Sequence, residues 1–230
     1  MSVRKSAYVV PVFIFLWIAI ALLSGGAGRE SGRAEKDGVL AEREVRNYQG
    51  EKLSSVADFS ENSIHGPQHI DREKYRLRVT GLVETPQTYT YIQLVKERPA
   101  YRKVITLDCV EGWKVKILWE GIRLRELLAE SRPKASAKVI IFHAHDGYTT
   151  SFPVDFIMKN DILLAYRMNQ APLLPERGFP FELVAESKWG YKWIKWVTEI
   201  EFSDRVDYKG YWERRGYSNG GSLNEDFFDR

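Results

Sequence analysis

The sequence predicts an α+β fold, in which a strand-rich mixed body follows an N-terminal membrane helix. The chain has 230 residues, of which 44% are hydrophobic and 13% aromatic, enough to close a sizeable core. Beyond residue 57 the apolar residues fall into short alternating runs separated by turn residues, which is the pattern of β-strands. Helical periodicity is confined to a few short segments, and one uncharged apolar run lies near the N-terminus.

That apolar run spans residues 8–23 and follows Arg4 and Lys5. A basic start, an apolar stretch and the small residues of Ser24–Gly28 are typical of an export signal or an N-terminal anchor, and we predict this role for residues 1–24. Because basic residues favour the cytoplasmic side, the sequence predicts a membrane-anchored protein whose folded body lies outside the cytoplasm.

The remaining chain divides into three segments. Residues 25–56 are glycine-rich and charged without a sustained apolar period, and are predicted to be a flexible tether. Residues 57–217 carry the strand-like runs and form the predicted domain. Residues 218–230 continue an aromatic, glycine-rich and acidic stretch, and are predicted to be a C-terminal tail lying over the body.

The predicted domain is punctuated by turns between short elements. Asp146-Gly147 separates two alternating runs and predicts a β-hairpin, since both residues tolerate positive φ. The predicted strands are Tyr75–Val83, Val104–Val110, Val115–Trp119, Val139–His145, Tyr148–Phe152, Phe181–Ala185 and Trp196–Phe202, and the predicted helices are Tyr91–Lys96, Ile122–Glu130 and Val154–Met158.

Cys109 is the only cysteine of the chain. The protein therefore has no intramolecular disulfide and no CxxC metal or redox pair, and thiol chemistry here is that of one soft thiolate. Ile105, Leu107 and Cys109 alternate onto one face of a predicted strand, which also fits a small buried hydrophobic residue. From these residues alone, both interpretations stay open.

The segment Lys188–Trp196 interleaves lysines with aromatic residues. Such a stripe can bind single-stranded nucleic acid by stacking and charge, hold the phosphate and ring of a cofactor, or form an amphipathic strand with a solvated face. The formal net charge is only +3, from 34 basic and 31 acidic residues, so the chain as a whole is not drawn strongly to nucleic acid.

The four histidines form two close pairs. His143 and His145 are two residues apart on a predicted strand and so share a face, a spacing that can supply two nitrogen ligands to zinc. A zinc hydrolase using His143, His145 and Cys109 is therefore one alternative, and ordinary partly exposed histidines beside a turn are another. No carboxylate or third histidine at ligand spacing completes the set.

A set of motifs follows one order along the chain: Asn62–Pro67, Tyr75–Val83, Cys109–Trp113, Trp119–Gly121, Gly147-Tyr148, Gly178–Pro180 and Trp189–Trp196. Together they resemble the molybdopterin-binding domain of the sulfite oxidase family, and most of all its single-domain branch, which includes periplasmic methionine sulfoxide reductase catalytic subunits. The resemblance spans about residues 57–217. It implies the mixed, strand-rich α+β body of that family.

The resemblance also implies a cofactor site. Cys109 is expected to be catalytic and to give one thiolate to the molybdenum of a molybdopterin cofactor, which suits a soft ligand and a sulfur-loving metal. The residues expected to bind the cofactor, through backbone N–H groups and one ammonium, are Asn62, His65, Gly190, Trp193, Ile194 and Lys195.

The family likeness has departures. Many relatives carry an arginine at the position of Glu182, and the sulfoxide reductase carries one at the position of Asp108, next to the cysteine. The turn after Cys109 lacks the arginine of sulfite oxidases, which argues against sulfite as the substrate. The sequence has no CxxCH haem motif, so electrons are expected to pass to or from a separate partner.

The resemblance implies a molybdenum-dependent oxidoreductase of the sulfite oxidase or sulfoxide reductase type. We expect two-electron oxygen-atom transfer to or from a small oxo-acceptor or oxo-donor, with a separate redox partner such as a membrane cytochrome. No nucleic-acid partner is expected, and the membrane is contacted through the N-terminal helix. The alternatives are the zinc hydrolase and a non-enzymatic binder of single-stranded nucleic acid through Lys188–Trp196.

Overall fold

The structure is a computed structural model that describes residues 44–229. The predicted N-terminal anchor and the first part of the predicted tether lie outside the described residues. Within the described range, no helix has both the length and the apolar character that a membrane span requires. The folded body is a strand-rich α+β unit, as predicted.

One five-stranded sheet has the order β4-β3-β12-β7-β8. Strand β12 runs parallel to β3 and antiparallel to β7, and the remaining pairs are antiparallel. The strands are β3 (Arg76–Gly81), β4 (Gln87–Thr90), β7 (Val139–Ala144), β8 (Thr149–Pro153) and β12 (Val197–Ser203).

A second five-stranded sheet is antiparallel throughout and has the order β10-β9-β6-β5, with β11 also paired to β9. Its strands are β5 (Tyr101–Asp108), β6 (Lys114–Arg123), β9 (Leu163–Met168), β10 (Ala171–Pro172) and β11 (Glu182–Val184). Apolar residues of both sheets, such as Leu77 and Trp119, belong to one buried cluster, which holds the sheets together.

Three short helices connect the strands: α1 (Tyr91–Lys96), α2 (Leu124–Ala129) and α3 (Val154–Lys159). Helix α1 begins at a capping box, in which Thr90 Oγ1 accepts from the Gln93 backbone N–H and Gln93 Oε1 accepts from the Thr90 backbone N–H. The β7–β8 hairpin turns at Asp146-Gly147, where Gly147 has a φ of +86°. This hairpin prediction is confirmed.

Residues 44–56 pack on the body, although the sequence assigns them to the tether. A hairpin of β1 (Asn47–Tyr48) and β2 (Glu51–Lys52) carries Leu53, which is 2% exposed. Glu44 is also buried, and its carboxylate accepts hydrogen bonds from the Val56 backbone N–H at 2.9 Å and Asn169 Nδ2 at 3.1 Å. Because these anchors are single polar contacts and one leucine, no apolar period marks them in the sequence.

The chain after β12 crosses the body without forming a strand. We call residues 204–229 the C-terminal segment. Its backbone is tied down where the Tyr211 N–H donates to Thr149 O and where Gly221 O accepts from the Trp189 N–H, both at 2.9 Å. The segment therefore lies against β8 and against the loop between β11 and β12.

Candidate active site

Cys109 lies at the first position after β5, in the turn that leads to β6. The Cys109 N–H donates to Trp113 O at 2.9 Å, and Cys109 O accepts from the Gly112 N–H at 3.0 Å. Gly112 has a φ of +88°, a conformation that glycine adopts without steric cost. The turn is thus fixed by backbone bonds, and it places the thiol at the end of the sheet, where the side chain is 6% exposed.

Two polar groups approach the Cys109 thiol. Asn62 Nδ2 and Glu111 Oε2 each lie 3.8 Å from Sγ. Burial raises the pKa of the Cys109 thiol to about 11, and the Glu111 carboxylate adds to this effect. The thiol is therefore protonated at neutral pH, and a bound metal ion would have to displace that proton.

A cleft with about 720 Å³ of empty space, part of it open to solvent, borders Cys109. Its wall is largely aromatic, with two carboxylates and one ammonium. It is lined by Asn62, Ser63, Ile64, Cys109, Val110, Glu111, Asp146, Tyr148, Gly190, Tyr191, Trp193, Lys195, Trp196, Trp212 and Tyr217. We call it the aromatic cleft.

A smaller cavity of about 390 Å³ borders Cys109 as well. It contains the guanidinium of Arg177 and the ammonium of Lys195, and we call it the cationic cavity. The two spaces share Asn62, Cys109, Gly190, Trp193 and Lys195. The thiol thus lies at the junction of two spaces with different chemistry.

Five of the seven residues predicted for the site line both cavities, namely Cys109, Asn62, Gly190, Trp193 and Lys195. The other two do not line either one. His65 lies behind Asp146, with its Nδ1 2.8 Å from the Asp146 backbone oxygen. Ile194 is 1% exposed, and its backbone oxygen accepts from the Leu183 N–H at 2.9 Å, so it supports the wall from the core.

Gly190 brings the loop between β11 and β12 against the cysteine. A Cβ atom at Gly190 would lie 3.4 Å from Cys109 Cα and 3.3 Å from Asp108 O, which is tighter than most real contacts. The absence of a side chain is what lets this loop approach the thiol. A 3-10 helix at Gly190–Lys192 shapes the loop, and the Trp193 N–H donates to Gly190 O at 3.0 Å.

The cations of the cationic cavity have protein partners. Arg177 is 8% exposed, its Nη2 donates to Phe59 O at 2.9 Å, and its guanidinium lies 4.9 Å from the centre of the Phe59 ring. Lys195 Nζ lies 3.2 Å from Glu61 Oε2. Burial acts to raise the pKa of Glu61, but Lys195 and hydrogen bonds from Ser63 outweigh it and hold that pKa below its ordinary value.

Glu182 is a buried carboxyl group in the same cavity. It is 3% exposed, and burial raises its pKa to about 8 although Lys195 and Arg177 act in the opposite direction. In the sequence, Glu182 is recognisable only as a departure from the family pattern, and no motif marks Arg177 as a site residue. The turn-forming Gly178 and Pro180 were the available signal, since they mark a loop that approaches a ligand.

The lysine and aromatic stripe does not form one exposed face. Lys192 is 0% exposed, and Tyr191, Trp193 and Trp196 are buried. Trp196 Nε1 donates to Pro175 O at 2.7 Å. The alternative of an amphipathic strand with a solvated face is wrong for Lys192, because its ammonium is paired with Glu213 inside the protein. Tyr191, Trp193 and Trp196 line the cleft and do not form the exposed stripe on which successive bases of a single strand would stack.

The histidines are engaged separately. His143 Nε2 lies 3.0 Å from Glu201 Oε2 on the neighbouring strand β12, and His145 is exposed beside the hairpin turn. Among residues 44–229, no group of three or more histidine, cysteine, aspartate or glutamate side chains is placed to hold a metal ion. This finding concerns sites built from several protein ligands. A cofactor site, in which the protein supplies one thiolate and the cofactor supplies the other ligands of the metal, needs no such group of side chains.

The two spaces that meet at the Cys109 thiol, with the close backbone approach at Gly190 and the cations Arg177 and Lys195 on one side, form the kind of site that holds an anionic, metal-bearing cofactor. Residues 64–212 match the family described as the oxidoreductase molybdopterin binding domain. The chain therefore belongs to this molybdopterin-binding family of oxidoreductases, within which it resembles the sulfite oxidase group, and its cofactor is the molybdenum cofactor.

Individual relatives agree with this assignment. The chain is 36% identical over 152 residues to the uncharacterized oxidoreductase YuiH of Bacillus subtilis, covering 66% of this chain and 76% of that protein. It is 29% identical over 146 residues to the protein-methionine-sulfoxide reductase catalytic subunit MsrP of Ralstonia nicotianae, covering 57% of this chain and 44% of MsrP.

A solved structure shares the fold. The sulfane dehydrogenase SoxCD from Paracoccus pantotrophus aligns with a TM-score of 0.58 and 26% sequence identity, covering 62% of this chain and 42% of that chain. The chain thus spans roughly half the length of the MsrP and SoxCD chains that it matches.

The residues of the site fit the cofactor. Arg177 and Lys195 line the cationic cavity, where their positive charge would suit a phosphate group. The space left at Gly190 lets the backbone contact a ligand closely.

Proposed function

We propose that this protein is a molybdopterin-dependent oxidoreductase that carries out two-electron oxygen-atom transfer on a small substrate, with Cys109 as the protein ligand of molybdenum. The observation that carries the proposal is the position of the only cysteine at the junction of a cationic and an aromatic space. One side suits the phosphate of the cofactor, and the other leaves room for a substrate.

When bound, the cofactor supplies a metal that exchanges two electrons and an oxygen atom with the substrate. The chain's own residues hold and orient it. The β5–β6 turn fixes the Cys109 Sγ, and Gly190 gives the loop its close approach. In this proposal Arg177 and Lys195 would bind the phosphate end, and Asn62 Nδ2, which lies 3.8 Å from Sγ, would border the bound cofactor.

Within this reaction type, we infer reduction of a sulfoxide rather than oxidation of sulfite. The aromatic cleft contains Glu111 and Asp146 but no arginine, so an anion gains little there. The relatives named as methionine sulfoxide reductase subunits support the same choice. The balanced reaction takes one sulfoxide, two protons and two electrons to one thioether and one water.

The electrons come from a separate redox partner in this proposal, and a membrane cytochrome is the expected class. The sequence contains no CxxCH haem motif, and Cys109 is its only cysteine, so the chain cannot bind an iron–sulfur cluster through several thiolates. We further propose that residues 1–24 anchor the protein in a membrane and that the catalytic domain lies outside the cytoplasm.

Metal content and the variant Cys109→Ser test the proposal together. Protein from a molybdenum-replete host is expected to carry about one molybdenum per chain with a pterin, and little zinc. Cys109→Ser is expected to keep its melting temperature within a few degrees and to lose turnover with reduced benzyl viologen and a sulfoxide, because serine offers a hard, weakly acidic hydroxyl to the metal. Stoichiometric zinc without molybdenum, or a fully active serine variant, contradicts the proposal.

A further inference from the structure

The polar groups of the aromatic cleft are mostly committed to the protein itself. The hydroxyl groups of Tyr148 and Tyr191 donate to the backbone oxygens of Tyr191 and Ser218. The indole N–H groups of Trp193 and Trp196 donate to the backbone oxygens of Lys188 and Pro175, at 3.0 Å and 2.7 Å. These four side chains therefore present ring surface to the cleft and keep their hydrogen-bond donors elsewhere.

The charges of the cleft are those of Glu111, Asp146 and Lys195. Lys195 Nζ is occupied by Glu61 Oε2 at 3.2 Å and by Glu176 O at 3.3 Å. A ligand in the cleft therefore meets two carboxylates and a lysine that is already paired. An oxyanion would lose its hydration here and gain no cation beyond the paired Lys195, which is a strong penalty for a charged group.

The far wall of the cleft comes from the C-terminal segment through Trp212 and Tyr217. Their ring centroids are 5.2 Å apart, and Tyr217 contacts the ring of Tyr191 edge to face at 5.0 Å. The other aromatic residues that line the cleft are Tyr148, Trp193 and Trp196. Aromatic faces attract apolar groups and cations, through dispersion and through the negative face of the ring.

This wall is fixed by buried and partly buried bonds on either side of its two aromatic residues. Glu213, next to Trp212, pairs with the fully buried Lys192 at 2.7 Å. Ser218 O, next to Tyr217, accepts from Tyr191 Oη at 2.6 Å, and Lys192 Nζ donates to Asn219 O at 3.0 Å. The rings are thus held in place before a ligand arrives, which lowers the entropy cost of binding.

From this geometry we propose that the C-terminal segment determines substrate specificity. Trp212 and Tyr217, with Asp146 and Glu111, select an organic oxo compound, a sulfoxide or an amine N-oxide, whose substituents are uncharged or cationic, and they reject oxyanions such as sulfite. The inference rests on the proposed function, since it concerns the substrate side of the same site.

Binding of small probe molecules that do not react tests the inference on the molybdenum-loaded protein without turnover. The probes are tetramethylammonium, the neutral dimethyl sulfone and sulfate, titrated at constant ionic strength and followed by tryptophan fluorescence. Tetramethylammonium is expected to bind roughly tenfold more tightly than sulfate, because it gains ring contacts and carboxylate attraction. Sulfate that binds as tightly as tetramethylammonium overturns the inference.

Variants locate the effect. Trp212→Leu is expected to weaken tetramethylammonium binding roughly two- to tenfold, as expected for the loss of one cation–π contact. Tyr208→Leu is the matched control, because Tyr208 belongs to the same segment but does not line the cleft. Equal losses in the two variants contradict the inference.

Asp146→Asn keeps an oxygen acceptor for the Tyr148 N–H at 3.0 Å and is expected to reduce the preference for the cation over sulfate. If Trp212→Leu does not fold, an unchanged preference in Asp146→Asn overturns the inference.

Turnover provides the second measurement. Three methyl alkyl sulfoxides that end in trimethylammonium, hydroxyl or carboxylate differ only in charge, and reduced benzyl viologen supplies the two electrons. The expected order of kcat/KM is cationic, then neutral, then anionic. A loaded protein with the reverse order refutes this inference alone, whereas protein that binds no molybdenum refutes the proposed function and the inference with it.

Discussion

Lys192 and Lys195 lie three residues apart in one aromatic segment, yet they meet opposite environments. Lys192 is fully buried, and its ammonium pairs with Glu213 beneath the C-terminal segment. Lys195 borders both cavities, where its side chain is 16% exposed and pairs with the half-buried Glu61. The same residue type thus stabilises the C-terminal segment at position 192 and places positive charge beside the two cavities at position 195.

The reason for the difference is the turn between them. The 3-10 helix at Gly190–Lys192 ends at Trp193, and from there the chain enters β12. Side chains on the two sides of this turn need not share a face, so a pattern of alternating lysines and aromatic residues misleads when it is interpreted as one strand. Variants at the lysines can test this difference between Lys192 and Lys195, and the largest effect on stability is expected at the buried Lys192.

Replacing Lys192 removes the ion pair with Glu213 that holds the C-terminal segment in place. Lys192→Met leaves the Glu213 carboxylate buried without its cation, and Glu213 Oε2 already lacks a hydrogen-bond partner. We expect the free energy of unfolding to fall by about 3 to 5 kcal/mol. Chemical denaturation followed by circular dichroism measures the change.

The double variant Lys192→Met with Glu213→Leu is the control, because it removes both charges. It is expected to recover most of the lost stability, since an apolar pair of similar volume often replaces a buried ion pair without cost. A loss below about 1 kcal/mol for Lys192→Met alone would contradict the structural role of the pair.

On the ligand side, Glu182 gives stability a pH dependence. Its pKa is about 8 in the folded protein against an ordinary value of 4.5, so the folded state keeps a proton that the unfolded chain releases. The free energy of unfolding is therefore expected to fall as pH rises from about 5 through 8, by about 2 to 4 kcal/mol in cofactor-free protein. Glu182→Gln is expected to flatten this dependence, measured as melting temperature against pH.

Glu186→Gln is the control for Glu182, because Glu186 lies just after β11 but is exposed. It is expected to leave the pH dependence unchanged. A Glu182→Gln variant whose stability falls with pH as steeply as that of the wild type would show that another group causes the slope.

Lys195 is expected to contribute less to stability and more to cofactor retention. Removing one partner of a charge-assisted hydrogen bond costs on the order of 1.5 to 3 kcal/mol, so Lys195→Ala is expected to lower cofactor affinity roughly ten- to hundredfold. Molybdenum and pterin content at limiting cofactor measures this. Full retention of molybdenum would remove Lys195 from the cofactor site.

Much of the fold could be predicted from the sequence where period and turn chemistry agree. Helix α1 matches its predicted bounds, and the β7–β8 hairpin follows from Asp146-Gly147. Strand β9 was missed, because most of its residues are buried and it shows no alternation. Strand β4, with the sequence QTYT, was missed because it is short and polar.

The site shows the same limit. Cys109 and Gly190 stand in recognisable motifs, and both line the cleft. Trp212 and Tyr217 stand in a stretch without periodicity, and they are held at the cleft by long-range contacts such as the Lys192–Glu213 pair, which joins residues 21 positions apart. Long-range pairing of this kind leaves no local pattern in a single sequence.

Lys188 is the third lysine of the segment, and a variant at this position is expected to have the smallest effect. It tests whether Lys192 and Lys195 have separate roles. Its ammonium donates to Gly220 O at 2.8 Å and lies 4.6 Å from the centre of the Phe156 ring, so it also touches the C-terminal segment, but from a partly exposed position. Burial lowers the pKa of Lys188, against the attraction of Glu225.

Lys188→Ala is expected to reduce the free energy of unfolding by about 1 kcal/mol, since one partly solvated hydrogen bond and one cation–π contact are lost. Cofactor content should stay at the wild-type level, because Lys188 lines neither cavity. Denaturation and molybdenum content of the same preparation decide the point. A loss of cofactor equal to that of Lys195→Ala would mean that the lysines act as one basic patch. The separate roles of Lys192 in stability and Lys195 in cofactor binding would then be contradicted.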